Sequence, residues 1–119
     1  MKRFLAVYMG STSGEKMNAF KSMDEKTRKE REHAGMNAWM KWGELNKGAI
    51  VDMGSPLGKT KLVDNKGVSD TKNLMTGYTI IEAESHEAAA KMFREHPHFS
   101  IFPGDSVEVM EILPMPSMG

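Results

Sequence analysis

Residues 3–9 carry apolar side chains on both faces of an extended chain, with Phe4, Ala6 and Tyr8 on one side and Leu5, Val7 and Met9 on the other. Such a short, continuous apolar run predicts a strand buried on both sides. Gly10 to Gly14 follows as a Ser/Gly/Thr loop, and residues 15–33 are dense in charge of both signs. Within them Ser22-Met23-Asp24-Glu25 fits a capping box, which predicts a helix starting near Met23. Glu25 stands four residues before Lys29, as on a solvated helix face, and Gly35 interrupts the pattern. A second helix is predicted over residues 36–47, with Gly48 as its C-terminal cap. At about 100° per residue, its apolar positions span well over half the circumference, more than one sheet needs. Trp39 lies nearest the centre of that arc and is expected in the core. Trp42, toward Ala38 and Leu45, is expected at the edge of a cleft.

Residues 49–53 read as a strand and Gly54 to Pro56 as a turn. Residues 58–63 and 68–70 form a short hairpin around Asp64-Asn65-Lys66-Gly67, where glycine suits the left-handed position. A strong strand follows at 77–83. Ser85 caps a helix over 86–95, which Pro97 ends by disfavouring the α region at His96. Residues 106–113 make the last strand, and Pro114-Met115-Pro116 cannot join a central ladder. The order β-α-β-(hairpin)-β-α-β defines a ferredoxin-like α+β sandwich. Two helices cover one face of its sheet, yet the first and last strands are apolar on both. A second copy packed sheet to sheet would cover the other face and make a homodimeric α+β barrel. The alternative is a monomer whose N-terminal helix wraps that face.

With 119 residues the chain is one domain, 1–119, and 16 basic against 16 acidic side chains give it no net charge. It has no broad field to gather nucleic acid or an anionic membrane. No apolar run approaches the ~18 residues of a membrane span. The absence of cysteine excludes thiolate chemistry and suits the cytoplasm. Met1 to Tyr8 is too short for a secretory apolar segment and lacks a cleavage site. The 12 methionines serve as core filler or as adaptable ligand contacts.

The pieces carry a family likeness. The Trp-containing helix, residues 51–58 (Val-Asp-Met-Gly-Ser-Pro-Leu-Gly), residues 77–83 (Gly-Tyr-Thr-Ile-Ile-Glu-Ala), His96-Pro97-His98-Phe99 and residues 107–112 with Pro114-Met115-Pro116 behind them stand in the order and spacing of one family. From Gly35 nearly to its end the chain resembles the YCII-related (DGPF/YCII) family of small bacterial proteins. The resemblance implies a ferredoxin-like fold and dimerisation, with an activity that is mostly undefined. Some members carry a His–Asp pair between helix and sheet. Here the helix position of that His holds Asn37, and His33 lies a turn earlier.

Asp52 is the first candidate for chemistry. At a strand end beside Ile50 and near tryptophans, a desolvated carboxylate would serve as a general base. Its alternative role is to accept backbone N–H groups of the Gly54-Ser55 turn. His98 beside Phe99 is a candidate proton donor, and His96 a helix-terminal group bonding the last carbonyls. The His-x-His spacing also suits a metal, but no third ligand is evident, so no metal or other cofactor is expected. Tyr8, Trp39, Trp42, Met53, Gly54, Ser55 and Tyr78 are expected to contact a small-molecule substrate. There is no phosphate-loop or Rossmann fingerprint. The leading reading is a homodimer binding a small organic compound between helix and sheet, as an enzyme of proton-transfer or lyase type. The alternative is a non-catalytic ligand-binding or accessory module. A titrating carboxylate in the cleft would mark the enzyme, whereas an apolar cleft with Asp52 committed to the turn would mark the binding module.

Overall fold

The computed structural model describes residues 1–117. Their order is β1 (Lys2–Met9), α1 (Glu15–Lys21), α2 (Glu25–Leu45), β2 (Ile50–Asp52), β3 (Thr60–Asp64), β4 (Gly67–Thr71), β5 (Met75–Ala83), α3 (His86–Lys91), α4 (Pro97–Ser100) and β6 (Ser106–Glu111). The main sheet is antiparallel with strand order β2-β5-β1-β6. The first and third main strands lie at its centre and the second and fourth at its edges, which is the ferredoxin-like arrangement expected from the sequence.

Register explains the core. Phe4 pairs with Ile81, Ala6 with Thr79 and Tyr8 with Gly77. Strand alternation therefore gathers Phe4, Ala6, Tyr8, Thr79, Ile81 and Ala83 on one face. All six are buried, and Trp42, Ala89 and Phe93 from the helical layer join them. The opposite face carries Leu5, Tyr78 and Ile80, each half-buried, with Met110 beside them 42% exposed. Val7, on the same face between Tyr78 and Glu108, is buried.

The hairpin β3–β4 forms a separate two-stranded sheet whose residues are almost all exposed. Its tip closes on Gly67 at φ 121°, and Lys61 bonds Asp70 across it. With the exposed, charged start of α2, this arm stretches the radius of gyration to 16.6 Å, against about 13.5 Å for a compact chain of this length.

The helices depart from expectation in four places. Residues 15–21 already form a helix, and Ser22 bonds back to the Asn18 carbonyl at its end rather than capping the next one. Asp24 is the N-cap of α2, accepting the Thr27 N–H at 3.3 Å. Gly35 does not break that helix. A Cβ there would meet the Phe102 ring at 2.5 Å, so the glycine is a notch for this ring, and the packing offsets its roughly 1 kcal/mol propensity cost. Finally, Asn46 rather than Gly48 caps the C-terminus of α2, and its side chain donates to the Trp42 carbonyl at 2.8 Å.

Around α3 the pattern is half as expected. Ser85 is its N-cap and accepts the Ala88 N–H at 3.1 Å. The helix already ends at Lys91, however, and Pro97 opens α4 instead of closing α3. A proline at the first helical position lacks only an N–H that would have no intrahelical partner anyway.

Candidate functional site

Between α2 and the sheet lies a cleft of about 480 Å³, within the usual size of small-molecule sites. Met36, Trp39 and Met40 reach it from consecutive turns of α2 at i, i+3 and i+4. Tyr8 and the stretch Thr76 to Tyr78 form the sheet wall. Met53 to Pro56 close one side and His98 with Phe102 the other. No Lys, Arg, Asp or Glu lines it.

The 53–56 wall owes its shape to Gly54, which sits at φ 78°, where any Cβ would collide with the Tyr78 carbonyl. The Asp52 carboxylate stabilises the turn by accepting the Gly54 N–H at 2.9 Å. Asp52 is exposed and does not line the cleft. Of the two roles read for Asp52 in the sequence, the structure shows the turn bond: its carboxylate accepts the Gly54 N–H and stays exposed, outside the cleft lining.

The tryptophans exchange the places expected of them. Trp42 is 9% exposed, packs on Phe93 at 5.0 Å, and donates its indole N–H to the Met92 carbonyl at 2.8 Å. It lies behind the cleft, in the core. Trp39 is half-buried and lines the cleft, edge-on to Tyr8 at 4.9 Å. The helix is a single one from Glu25, and Met92 and Phe93, just past α3, lie against Trp42. Tyr78 borders the cleft, but alternation puts its ring on the face opposite Tyr8.

His98 is held by its own segment. The buried His96 caps α4 with Nδ1, which accepts the His98 N–H at 3.0 Å. This differs from the expected bond to the last carbonyls of α3. Gly104 leaves room for the His98 ring and donates its N–H to the His98 carbonyl at 2.9 Å. His98 Nε2 lies 2.8 Å from the Met9 carbonyl. A carbonyl only accepts, so Nε2 bears the hydrogen and Nδ1 of the neutral ring is a bare acceptor. Burial lowers the His98 pKa. The Met9 carbonyl acts against this, Lys16 adds to it, and Asp105 opposes it.

A buried chain of hydroxyls fixes Tyr8. Thr79 Oγ1 donates to the Met53 carbonyl at 2.8 Å, so its one hydrogen is committed. The Tyr8 hydroxyl, 2.7 Å from Thr79 Oγ1, must then be the donor of that pair. Burial pushes the Tyr8 pKa up to about 12 despite this bond. Tyr8 is a permanent phenol whose hydrogen points at Thr79.

The structure thus brings Tyr8, Trp39, Met53, Gly54, Ser55, Tyr78 and His98 to one cleft and leaves Asp52 and Trp42 out. Met36, Met40 and Phe102 line it without having been singled out, and Thr79 lies beneath. The i, i+3, i+4 spacing on α2 was a signal for the two methionines. Nothing local pointed to Phe102 or Thr79. Among the described residues no three His, Asp or Glu groups converge as metal ligands do.

Fold and site together define a ferredoxin-like α+β domain with an uncharged helix–sheet cleft. Among solved structures, 5-chloro-2-hydroxyhydroquinone dehydrochlorinase (TftG) from Burkholderia phenoliruptrix AC1100, in complex with 2,5-dihydroxybenzoquinone, shares this fold with a TM-score of 0.51. The match covers 91% of this chain and 90% of that one at 17% identity. No protein-family model matches the chain, and no curated protein does so by sequence.

Proposed function

We propose that the protein binds a small, uncharged, largely apolar molecule in the cleft between α2 and the sheet. The observation that carries this reading is the cleft itself: about 480 Å³, walled by Trp39, Tyr8, Phe102 and methionines, with one neutral imidazole. The structural neighbour, in complex with 2,5-dihydroxybenzoquinone, supports a ligand of that size for this fold.

Two versions of this function separate on chemistry. In the enzymatic version His98 Nδ1 takes or returns a proton in a proton-transfer or lyase reaction, and Asp52 has no part. In the non-catalytic version the cleft only holds its ligand. The commitment of Asp52 to the turn, with no carboxylate in the cleft, favours the second. A screen of small ring compounds by calorimetry, followed by product analysis of the binders, tests both. Binding without any product supports the module. Turnover lost in His98→Gln, with binding kept, would establish the enzyme. No binding by any compound would overturn the shared reading.

The proposal extends to a cytoplasmic homodimer of the YCII-related family. The half-buried apolar face with Leu5, Tyr78, Ile80 and Met110 supports the dimer. Light scattering should then return about twice the 13.3 kDa chain mass at micromolar concentration, and the chain mass alone would refute it.

A further inference from the structure

The cleft's polar groups specify its ligand more narrowly than its apolar walls do. Resting on the small-molecule reading above, we propose that the cleft selects neutral planar rings bearing a hydroxyl, which donates its hydrogen to His98 Nδ1. Three observations carry this. First, His98 lines the cleft as an acceptor: its Nε2–H is held by the Met9 carbonyl, which leaves Nδ1 as the ring nitrogen able to accept. An uncharged acceptor in an apolar cleft is costly to desolvate unless the ligand brings a donor.

Second, the neighbouring phenol cannot fill that need. Tyr8 lies 5.3 Å from His98 between ring centroids, yet its hydrogen is committed to Thr79, and Thr79's to the Met53 carbonyl. The donor must come from the ligand. Third, no charged side chain lines the cleft to pair with an ionic ligand. The charges that His98 feels, Lys16 and Asp105, are of opposite sign and act in opposition. A carboxylate or an ammonium would enter unpaired, at a high desolvation cost. The ring preference follows from Trp39, Tyr8 and Phe102, and from Met36 and Met40, whose sulfur atoms pack well on aromatic edges.

Phenol, anisole and benzoate test this on the intact wild-type protein. They share one ring and differ in donor and charge. Calorimetric titration near neutral pH should show phenol binding about tenfold more tightly than anisole, the equivalent of one hydrogen bond, and benzoate binding more weakly than either. In His98→Phe the phenol advantage should vanish while anisole affinity persists, which also reports that the cleft is intact. Equal binding of phenol and anisole to the wild type would overturn the hydroxyl selection and leave the cleft reading standing. Tighter binding of benzoate would overturn the neutral selection. Binding of none of the three would remove both proposals together. The wild-type comparison decides even if His98→Phe fails to fold.

Discussion

His96 should make this protein acid-sensitive in a measurable way. Its ring is fully buried, at 0% exposure, between Trp39 at 4.5 Å and Trp42 at 4.8 Å, with Tyr8 at 5.1 Å. Nδ1 accepts the His98 N–H, so the neutral ring carries its hydrogen on Nε2, which faces no acceptor. Protonation would place a hydrogen on Nδ1, break the α4 cap and bury a charge. Burial, aided by neighbouring His98, accordingly lowers the His96 pKa from 6.5 to about 3. Between those values the unfolded chain binds a proton that the folded chain refuses. Stability therefore falls as pH drops below about 6.5, with a slope approaching 1.4 kcal/mol per pH unit, and the loss ends near pH 3. Going from pH 7 to pH 5 should remove about 2 kcal/mol through this residue alone. Urea unfolding of the wild type and of His96→Asn at the two pH values measures it, because asparagine keeps a cap acceptor but does not titrate. The variant should lose about 2 kcal/mol less than the wild type over that interval. Parallel losses, or a His96 ring proton titrating near the ordinary histidine value by NMR, would refute the reasoning.

The two tryptophans should separate: Trp42→Ala should cost roughly 3–5 kcal/mol in a denaturant melt, as a large core truncation does. Trp39→Phe should cost about 1 kcal/mol but weaken binding of ring ligands in calorimetry. Gly35→Ala should destabilise by about 1–3 kcal/mol despite alanine's better helix propensity, because its Cβ meets Phe102 at 2.5 Å. Gly43→Ala, facing only the flexible end of Met53 at 3.2 Å, should be neutral or stabilising in the same melt, and equal losses would disprove the notch. Asp52→Asn should cost about 1 kcal/mol of stability and leave phenol binding unchanged, since the carboxylate serves the turn; loss of binding would return it to the site.

Much of the candidate site was legible residue by residue, and its assembly was not. Six of the seven residues expected to contact a substrate line the cleft, all but Trp42, and so does the candidate proton donor His98, because strand ends, a glycine turn and a tryptophan helix are local features with a predictable place in a β-α-β unit. Of the two roles read for Asp52, the bond to the Gly54 N–H favours the turn, and Trp42 was misplaced because its indole bonds the Met92 carbonyl, 50 positions away. The acceptor character of His98 was hidden for the same reason. It depends on Met9, 89 positions away in sequence, and the donor state of Tyr8 depends on Thr79, 71 away.

The sequence by itself determined the strands and their order, the Ser85 cap, the hairpin turn and the two-sided apolarity of the sheet. Period-two patterning, turn glycines and cap residues act over a few positions and are readable there. Tertiary structure decided that Gly35 lies within one continuous helix, because only the distant Phe102 ring makes its missing Cβ an advantage. It decided which tryptophan faces the cleft, because Met92 and Phe93, just past α3, cover Trp42 and leave Trp39 at the cleft wall. It also decided that Pro97 begins a helix rather than ending one. A proline disfavours what precedes it whichever way the chain turns next, and here the His96 cap, seated among the rings of Tyr8, Trp39 and Trp42, settles the direction.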